Sequence, residues 1–306
     1  MNHEEKILVA DFGNSKAKFA VFSDGLINES TLYAIKTYLC KDAQDLKEAY
    51  KEFFQDYPNE NYGEWQDVRK CVYASVNKNS SKAFLKLIKK HFPLIELIEV
   101  DNSFDFSFKS NVDDFSEVGI DLLCNCEETI WYLSVNNDPH PVFICDAGTL
   151  TKVIFLNYNI DSKEYTLEGV NITIGVSSAL EGMKKQTAFI PKNFKFFKDN
   201  VHAEGIGKNT PDSLRIGAET IRKIPFYLMS DTILAFVSPE FDDEGNLEFP
   251  DIEIILCGGD APLVLESIDN LPIKKSLQLS LQPTSTLNGI FRVYDNTLNK
   301  KIQKDA

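Results

Sequence analysis

The sequence predicts an α/β fold made of two copies of one domain, each a mixed five-stranded sheet flanked by helices. Two stretches carry that prediction. In Ile7-Leu-Val-Ala-Asp11-Phe-Gly13-Asn14-Ser15-Lys16-Ala-Lys18-Phe-Ala-Val-Phe22 an apolar strand ends on an acid, and a glycine-led polar turn leads directly into a second apolar strand. In Val142-Phe-Ile-Cys-Asp146-Ala-Gly148-Thr149-Leu-Thr151-Lys152-Val-Ile-Phe155 the same device returns. Each hairpin is followed by alternating strand and helix patterns, which marks an α/β class.

The elements follow in order. Residues 6–22 form the first hairpin, and a third strand is expected over Thr31 to Ile35. Leu46, Tyr50, Phe53 and Phe54 recur at helical spacing within 43–54. A polar, turn-rich segment covers 58–66. A buried strand covers 70–76, a helix 80–91 with Phe84, Leu87 and Ile88 on one face, and a strand 95–100. This βββαβα order is that of a ribonuclease-H-like half. Ser116 is placed to cap a helix over about 117–133, with Gly119 and Asp121 in its first turn. Asn136-Asn-Asp-Pro139 breaks it.

The second half repeats the pattern. Strands are expected at 141–146, 151–157 and 164–172, a helix at 177–185 and a long loop at 194–209. A helix runs from Pro211, a good first-turn proline, to about 235. An acidic surface excursion covers 239–251. The strand 252–257 turns at Gly258-Gly259-Asp260 into a helix, and a strand at 277–281 precedes the segment 287–294. The tail from Lys300 is polar and expected to fray. The domains are expected to span 1–120 and 121–306.

Composition narrows the function. The chain has 306 residues, 43% hydrophobic content and a net charge of −14. A chain of that size can bury a full core. Its negative field disfavours nucleic acid and anionic membranes as partners. No signal-peptide pattern opens it and no run approaches 18 apolar residues, so it is expected to be cytoplasmic. The six cysteines are scattered through apolar segments and read as reduced, buried thiols. Cys124 and Cys126 lie two residues apart, which does not place them on one helix face as a zinc pair.

The candidate site residues come from the turns. Gly13 allows a tight turn whose amides face a phosphate, with Asn14 and Ser15 in the loop. Asp11 at the strand end is placed to hold Mg²⁺. Lys16 and Lys18 are placed to meet phosphate charge. Gly148, Thr149 and Thr151 repeat the turn, with Asp146 at the strand end. Gly258 and Gly259 allow close approach of a flat ring or a phosphate. Asp121 in a helix first turn faces the positive end of the helix dipole, which suits a general base. Gly205-Ile-Gly207-Lys208 lacks the glycine spacing of a P-loop or dinucleotide fingerprint. The histidines stand singly, without metal-ligand spacing.

Taken in order, these motifs resemble the type III pantothenate kinases, of the superfamily of acetate kinase, sugar kinases, heat-shock chaperone ATPases and actin. The family's Asp-x-Gly-Asn-Thr/Ser-x-x-Lys is similar to Asp11–Lys18, its Ser-Ser-Val to Ala74-Ser75-Val76, and its Glu-Val-Gly-x-Asp-Arg to Glu117–Leu122. Its Asp-x-Gly-Thr-x-Thr is similar to Asp146–Thr151, and its Gly-x-Ile-x-x-Gly and Thr-Ala-x-x-Pro to Gly169–Gly175 and Thr187–Pro191. Asn209-Thr210, Gly258-Gly259 and Leu287-Asn-Gly289-Ile290 complete a set that covers nearly the whole chain.

The resemblance implies an actin-like ATPase fold and ATP-dependent phosphorylation of pantothenate, the first step of coenzyme A synthesis. It implies Asp121 as general base, Asp11 at the metal and phosphate site, and Asp146 holding a monovalent cation, K⁺ or NH₄⁺. It implies Gly119 and Thr187 at the substrate, and a homodimer. The departures fall on the acceptor side. Leu122 stands where the family has Arg, Phe115 where it has Pro, and Val170 and Ile174 replace a Gly and a Pro of the 169 loop. Leucine cannot make arginine's charge contact. Lys109, Lys184 and Lys185 are the basic candidates for that role. Two alternatives stay open: a non-catalytic regulator on the same fold, and a kinase for another small hydroxy acid or polyol.

Overall fold

The computed structural model describes residues 6–23, 35–39, 44–45, 47–48, 51–52, 68–197, 205–236, 240–241, 247–248, 252–267 and 277–305. The chain divides into two compact units. One holds 1–108, 113–137 and 284–306, the other 109–112 and 138–283.

In the first unit, strands β1 (Lys6–Phe12), β2 (Lys16–Ser23), β3 (Ile35–Leu39), β4 (Val68–Ser75) and β5 (Glu96–Glu99) form a sheet of order β3-β2-β1-β4-β5. β1 to β3 form an antiparallel meander, and β4 and β5 add in parallel. Helix α1 (Lys78–His91) makes the crossover between β4 and β5. Strand alternation splits β1 into two apolar faces. Leu8, Ala10 and Phe12 pack with Phe19 of β2 and with Phe84, Leu85 and Ile88 of α1. The Phe19 and Phe84 rings stack at 4.3 Å. Asp11 shares the opposite face with Ile7 and Val9.

Strand β6 (Lys109–Ser110) belongs to the second unit, and helix α2 (Ile120–Val135) returns the chain to the first. The second unit holds β7 (Val142–Ala147), β8 (Leu150–Asn159), β9 (Glu164–Ile174), α3 (Val176–Gln186), α4 (Thr210–Phe236), β10 (Glu240–Phe241), β11 (Leu247–Glu248), β12 (Ile252–Cys257), α5 (Ala261–Leu265) and β13 (Leu277–Leu281). Among the described residues its main sheet runs β13-β12-β7-β8-β9-β6. Without β6 this is the first sheet again: a three-stranded antiparallel meander extended by two parallel strands. Phe143, Cys145, Val153 and Phe155 pack against Phe226, Met229 and Ile233 of α4 and Leu180 of α3. Helix α4 runs through Pro225 at its centre.

The last helix, α6 (Ser285–Asp305), belongs to the first unit. Phe291 stacks on Phe22 of β2 at 4.8 Å. Along its contact with α2 runs a buried polar network. The Thr286 hydroxyl donates to Asn125 Oδ1 (3.0 Å) and Asn288 Nδ2 to Glu128 Oε1 (3.0 Å). Arg292 Nε donates to Glu128 Oε2 (3.3 Å) and Asn296 Nδ2 to Glu127 Oε1 (2.6 Å). Burial pushes the Glu127 carboxyl above its ordinary range, against the hydrogen bonds it accepts.

The structure departs from the sequence reading at definite places. The units do not divide at residue 120: α2 and α6 both pack with the first sheet, so the first unit is discontinuous in sequence. Among the described residues the second sheet has six strands, because β6 pairs with β9. Asp114, with Ser116 donating to it, caps a single 3-10 turn at Phe115–Glu117, and Gly119 is the N-cap of α2. α6 extends to Asp305 where fraying was expected. The third strand includes Ile35–Leu39, while residues 31–34 of the expected Thr31–Ile35 strand lie outside the described residues. The segment 58–66 lies outside the described residues. So do parts of the 43–54 helix, the 194–209 loop and the 239–251 excursion.

Candidate active site

The two Asp-Gly hairpins are built alike. In the first, the Gly13 amide donates to the Lys16 carbonyl at 3.0 Å. Antiparallel register sets Asp11 opposite Lys18 and Phe12 opposite Ala17. Asp11 is 7% exposed. Asn14 and Lys16 at the turn are exposed, while Gly13, Ser15 and Lys18 are half-buried. In the second hairpin the Gly148 amide donates to the Leu150 carbonyl at 3.1 Å, and register sets Asp146 opposite Lys152.

Asp11 near the end of β1 and Asp121 at the start of α2 both belong to the first unit. Both act on the buried thiol of Cys124, one helical turn beyond Asp121. Burial first, then Asp11, then Asp121, pushes that thiol well above its ordinary value. Asp121 lies in the first turn of α2, and its Oδ1 accepts the Leu122 amide at 3.0 Å. Gly119 makes room for it: a Cβ there would lie 2.5 Å from Asp121 Oδ1. Leu122 itself is 4% exposed, in the core.

In the second unit Asp146 and Lys152 form an ion pair, Nζ to Oδ2 2.9 Å, with side-chain exposures of 13% and 16%. The glycine turn after β12 closes on the same strand end. Gly258 has φ +89°, and a Cβ there would lie 2.7 Å from Asp146 Oδ1 and 2.3 Å from the Ala147 carbonyl. Only glycine combines that dihedral with that approach. The Asp260 amide donates to Ala147 O at 2.7 Å. The Asp260 carboxylate accepts the Ser177 amide (2.8 Å) and hydroxyl (2.6 Å), tying this turn to the start of α3. Gly259 is exposed at the turn.

Some candidates stand apart from these groups. Thr151 is fully buried, its Oγ1 has no hydrogen-bond partner, and strand alternation turns it to the face opposite Lys152. The Thr187 hydroxyl donates to the Met183 carbonyl at 2.5 Å, at the end of α3. The basic candidates for an acceptor carboxylate are all engaged. Lys109 pairs with Glu164 at 2.5 Å and Lys185 with Glu181 at 2.8 Å. Lys184 donates to the Lys192 carbonyl and lies over the Phe196 ring.

Sequence reasoning passed over Lys152, Asp260 and Ser177. Lys152 had a signal, since the turn length sets its register with Asp146. The Asp260–Ser177 contact spans 83 positions and had none.

The model of the family described as "Type III pantothenate kinase" matches residues 7–221. The chain belongs to the type III pantothenate kinase family. It is therefore a kinase, a transferase of coenzyme A biosynthesis. A family member from Malacoplasma penetrans is 24% identical over 221 residues, 72% of this chain and 76% of that one. Another, from Acholeplasma laidlawii, is 23% identical over 292 residues, covering 95% and 99%. Among solved structures, a Campylobacter jejuni protein described as a Baf family transcriptional activator superposes with a TM-score of 0.53. It shows 16% identity over 95% of this chain and 99% of its own. That likeness carries the fold alone. No helix among the described residues is long and apolar enough to cross a membrane.

Proposed function

We propose that this chain transfers the γ-phosphoryl group of ATP to the hydroxyl of pantothenate, forming 4'-phosphopantothenate, with Asp121 as general base. The observation that carries this reading is Asp121 in the first turn of α2, its Oδ1 accepting the Leu122 amide, in a chain matched to the family over residues 7–221.

Phosphoryl transfer asks the protein for alignment and charge more than for covalent chemistry. Each turn by itself, at 13–15 in the first unit and at 148–149 in the second, is assigned to phosphate through amides other than those of Gly13 and Gly148, which donate within the turn. Asp121, its Oδ1 anchored by the Leu122 amide, takes the acceptor hydroxyl's proton as the oxygen attacks phosphorus. A magnesium ion, when bound, neutralises phosphate charge. Asp11 is the carboxylate that would hold it, directly or through water, as Mg²⁺ usually takes one or two carboxylates plus substrate phosphates. The exposed Lys16 at the turn adds positive charge near the phosphates. Thr187 and Gly119 are assigned to the acceptor. In this reading the protein is a cytoplasmic homodimer.

The burial of Leu122 favours a second reading, in which the acceptor is a hydroxy compound other than pantothenate. Purified full-length protein with ATP, Mg²⁺ and a panel of acceptors separates the two. Turnover with pantothenate is expected. Turnover only with another acceptor would favour the second reading, and none with any acceptor would remove the kinase assignment.

Gly119 offers a gentler probe. In Gly119→Ala the new methyl meets the far end of the Asp121 side chain, which rotates away without disturbing the fold. Misplacing a reacting group by about 1 Å costs on the order of 100-fold in rate. Turnover should fall by about 10- to 100-fold with an unchanged melting temperature.

A further inference from the structure

The family resemblance implies a monovalent cation at Asp146, and the residues present do not fit one. The Asp146 carboxylate lies in an ion pair with Lys152, Nζ to Oδ2 2.9 Å, and both side chains are largely buried. The arrangement is built in by the strands. Register in the β7–β8 hairpin sets residue 152 directly across from residue 146, where cross-strand side chains meet. On its other side the carboxylate faces the turn at Gly258, where an added Cβ would lie 2.7 Å from Asp146 Oδ1. A lysine ammonium is a single positive charge with three N–H donors, the chemistry of an ammonium ion on a tether. At this position it neutralises Asp146 at the strand end that leads into the Gly148-Thr149 turn.

We infer that Lys152 supplies within the chain the single positive charge that an added K⁺ or NH₄⁺ would otherwise bring to the Gly148-Thr149 turn. Nucleotide binding and turnover are then independent of both ions. The inference rests on the proposed role of that turn in holding nucleotide phosphate. A tethered charge also occupies its position at any salt composition, so this step responds little to changes in the surrounding ions.

The test needs two readouts. The first is ATP-analogue affinity by calorimetry and the second is turnover with pantothenate. Each is measured in choline chloride and again with K⁺ or NH₄⁺ at the same ionic strength. The unaltered protein should give the same values in all three salts, within about twofold. Lys152→Met and Lys152→Gln should lose about 10-fold or more in nucleotide affinity in choline chloride, the scale of a hydrogen bond to a charged group. Added K⁺ or NH₄⁺ should restore most of it. Unaltered protein that needs K⁺ or NH₄⁺ overturns the inference. So do variants that bind nucleotide normally without these ions, and folded variants that no monovalent cation rescues. If the protein turns over no acceptor, the kinase reading fails on its own, while the affinity measurements still decide the role of Lys152.

Discussion

Asp121→Asn should lower turnover by about 100- to 10,000-fold, the usual contribution of a positioned general base, while nucleotide affinity stays within about twofold. The substitution is close to isosteric, and its side-chain oxygen still accepts the Leu122 amide that anchors Asp121 at 3.0 Å. What disappears is the basicity. The magnitude discriminates between roles. In a loose, dissociative transition state the acceptor keeps its proton until late, so a residue that only orients the hydroxyl would lose about 10-fold. A loss beyond 100-fold means that the proton moves to Asp121. Nucleotide affinity is the control, because Asp121 lies outside the hairpin turn at 13–15 assigned to phosphate. Unchanged turnover would exclude Asp121 as the base, and lost nucleotide affinity would mean that the substitution acts through Asp11 or the turn.

Most of what positions this site was legible locally. A strand that ends on Asp and turns at Gly states its own geometry, so both hairpins came out where the sequence placed them. The repeat of that device announced the duplicated sheet order. The largest failures depend on contacts between segments distant in sequence. The domain boundary missed because the first unit is assembled from three stretches, and nothing local tells α6 to return to the first sheet. Asn288, Arg292 and Asn296 recur every four residues along α6 and look like a solvated stripe. They donate to Glu127 and Glu128 on α2, more than 150 positions away in sequence.

The start of α2 shows a subtler limit. Ser116 has the chemistry of an N-cap and lies just before a helical pattern, so local rules chose it. The chain uses Asp114 and Ser116 to close a separate turn and begins α2 three residues later at Gly119. The reason lies in Asp121. Its carboxylate folds back over residue 119, and a side chain there would displace it. Capping preference gave way to room for the Asp121 carboxylate, which a side chain at 119 would meet at 2.5 Å. Lys152 is the opposite case. Both hairpins set a lysine across from the acid, Lys18 from Asp11 and Lys152 from Asp146. Turn lengths alone would have shown it.

Arg292→Ala should destabilise the first unit by about 3–5 kcal/mol, the range for removing one partner of a buried ion pair. The Arg292 and Glu128 side chains are only 6% and 7% exposed. Burial pulls the guanidinium below its ordinary value while Glu128 holds it up. The guanidinium also lies over the Trp131 ring, 3.4 Å from its centroid, so truncation loses packing as well as charge. Alanine leaves Glu128 buried without the guanidinium, with Asn288 still donating to it, and the desolvated carboxylate dominates the loss. That makes a sharp comparison possible. Glu128→Met with Arg292→Met removes both charges and refills the volume, and such replacements are often neutral or stabilising. The double variant should recover most of the stability lost in Arg292→Ala. Urea unfolding followed by fluorescence reads this directly, because Trp131 sits at the pair. A double variant as unstable as the single one would show that the network specifies how α6 docks on α2, a role that hydrophobic packing of the same volume cannot fill.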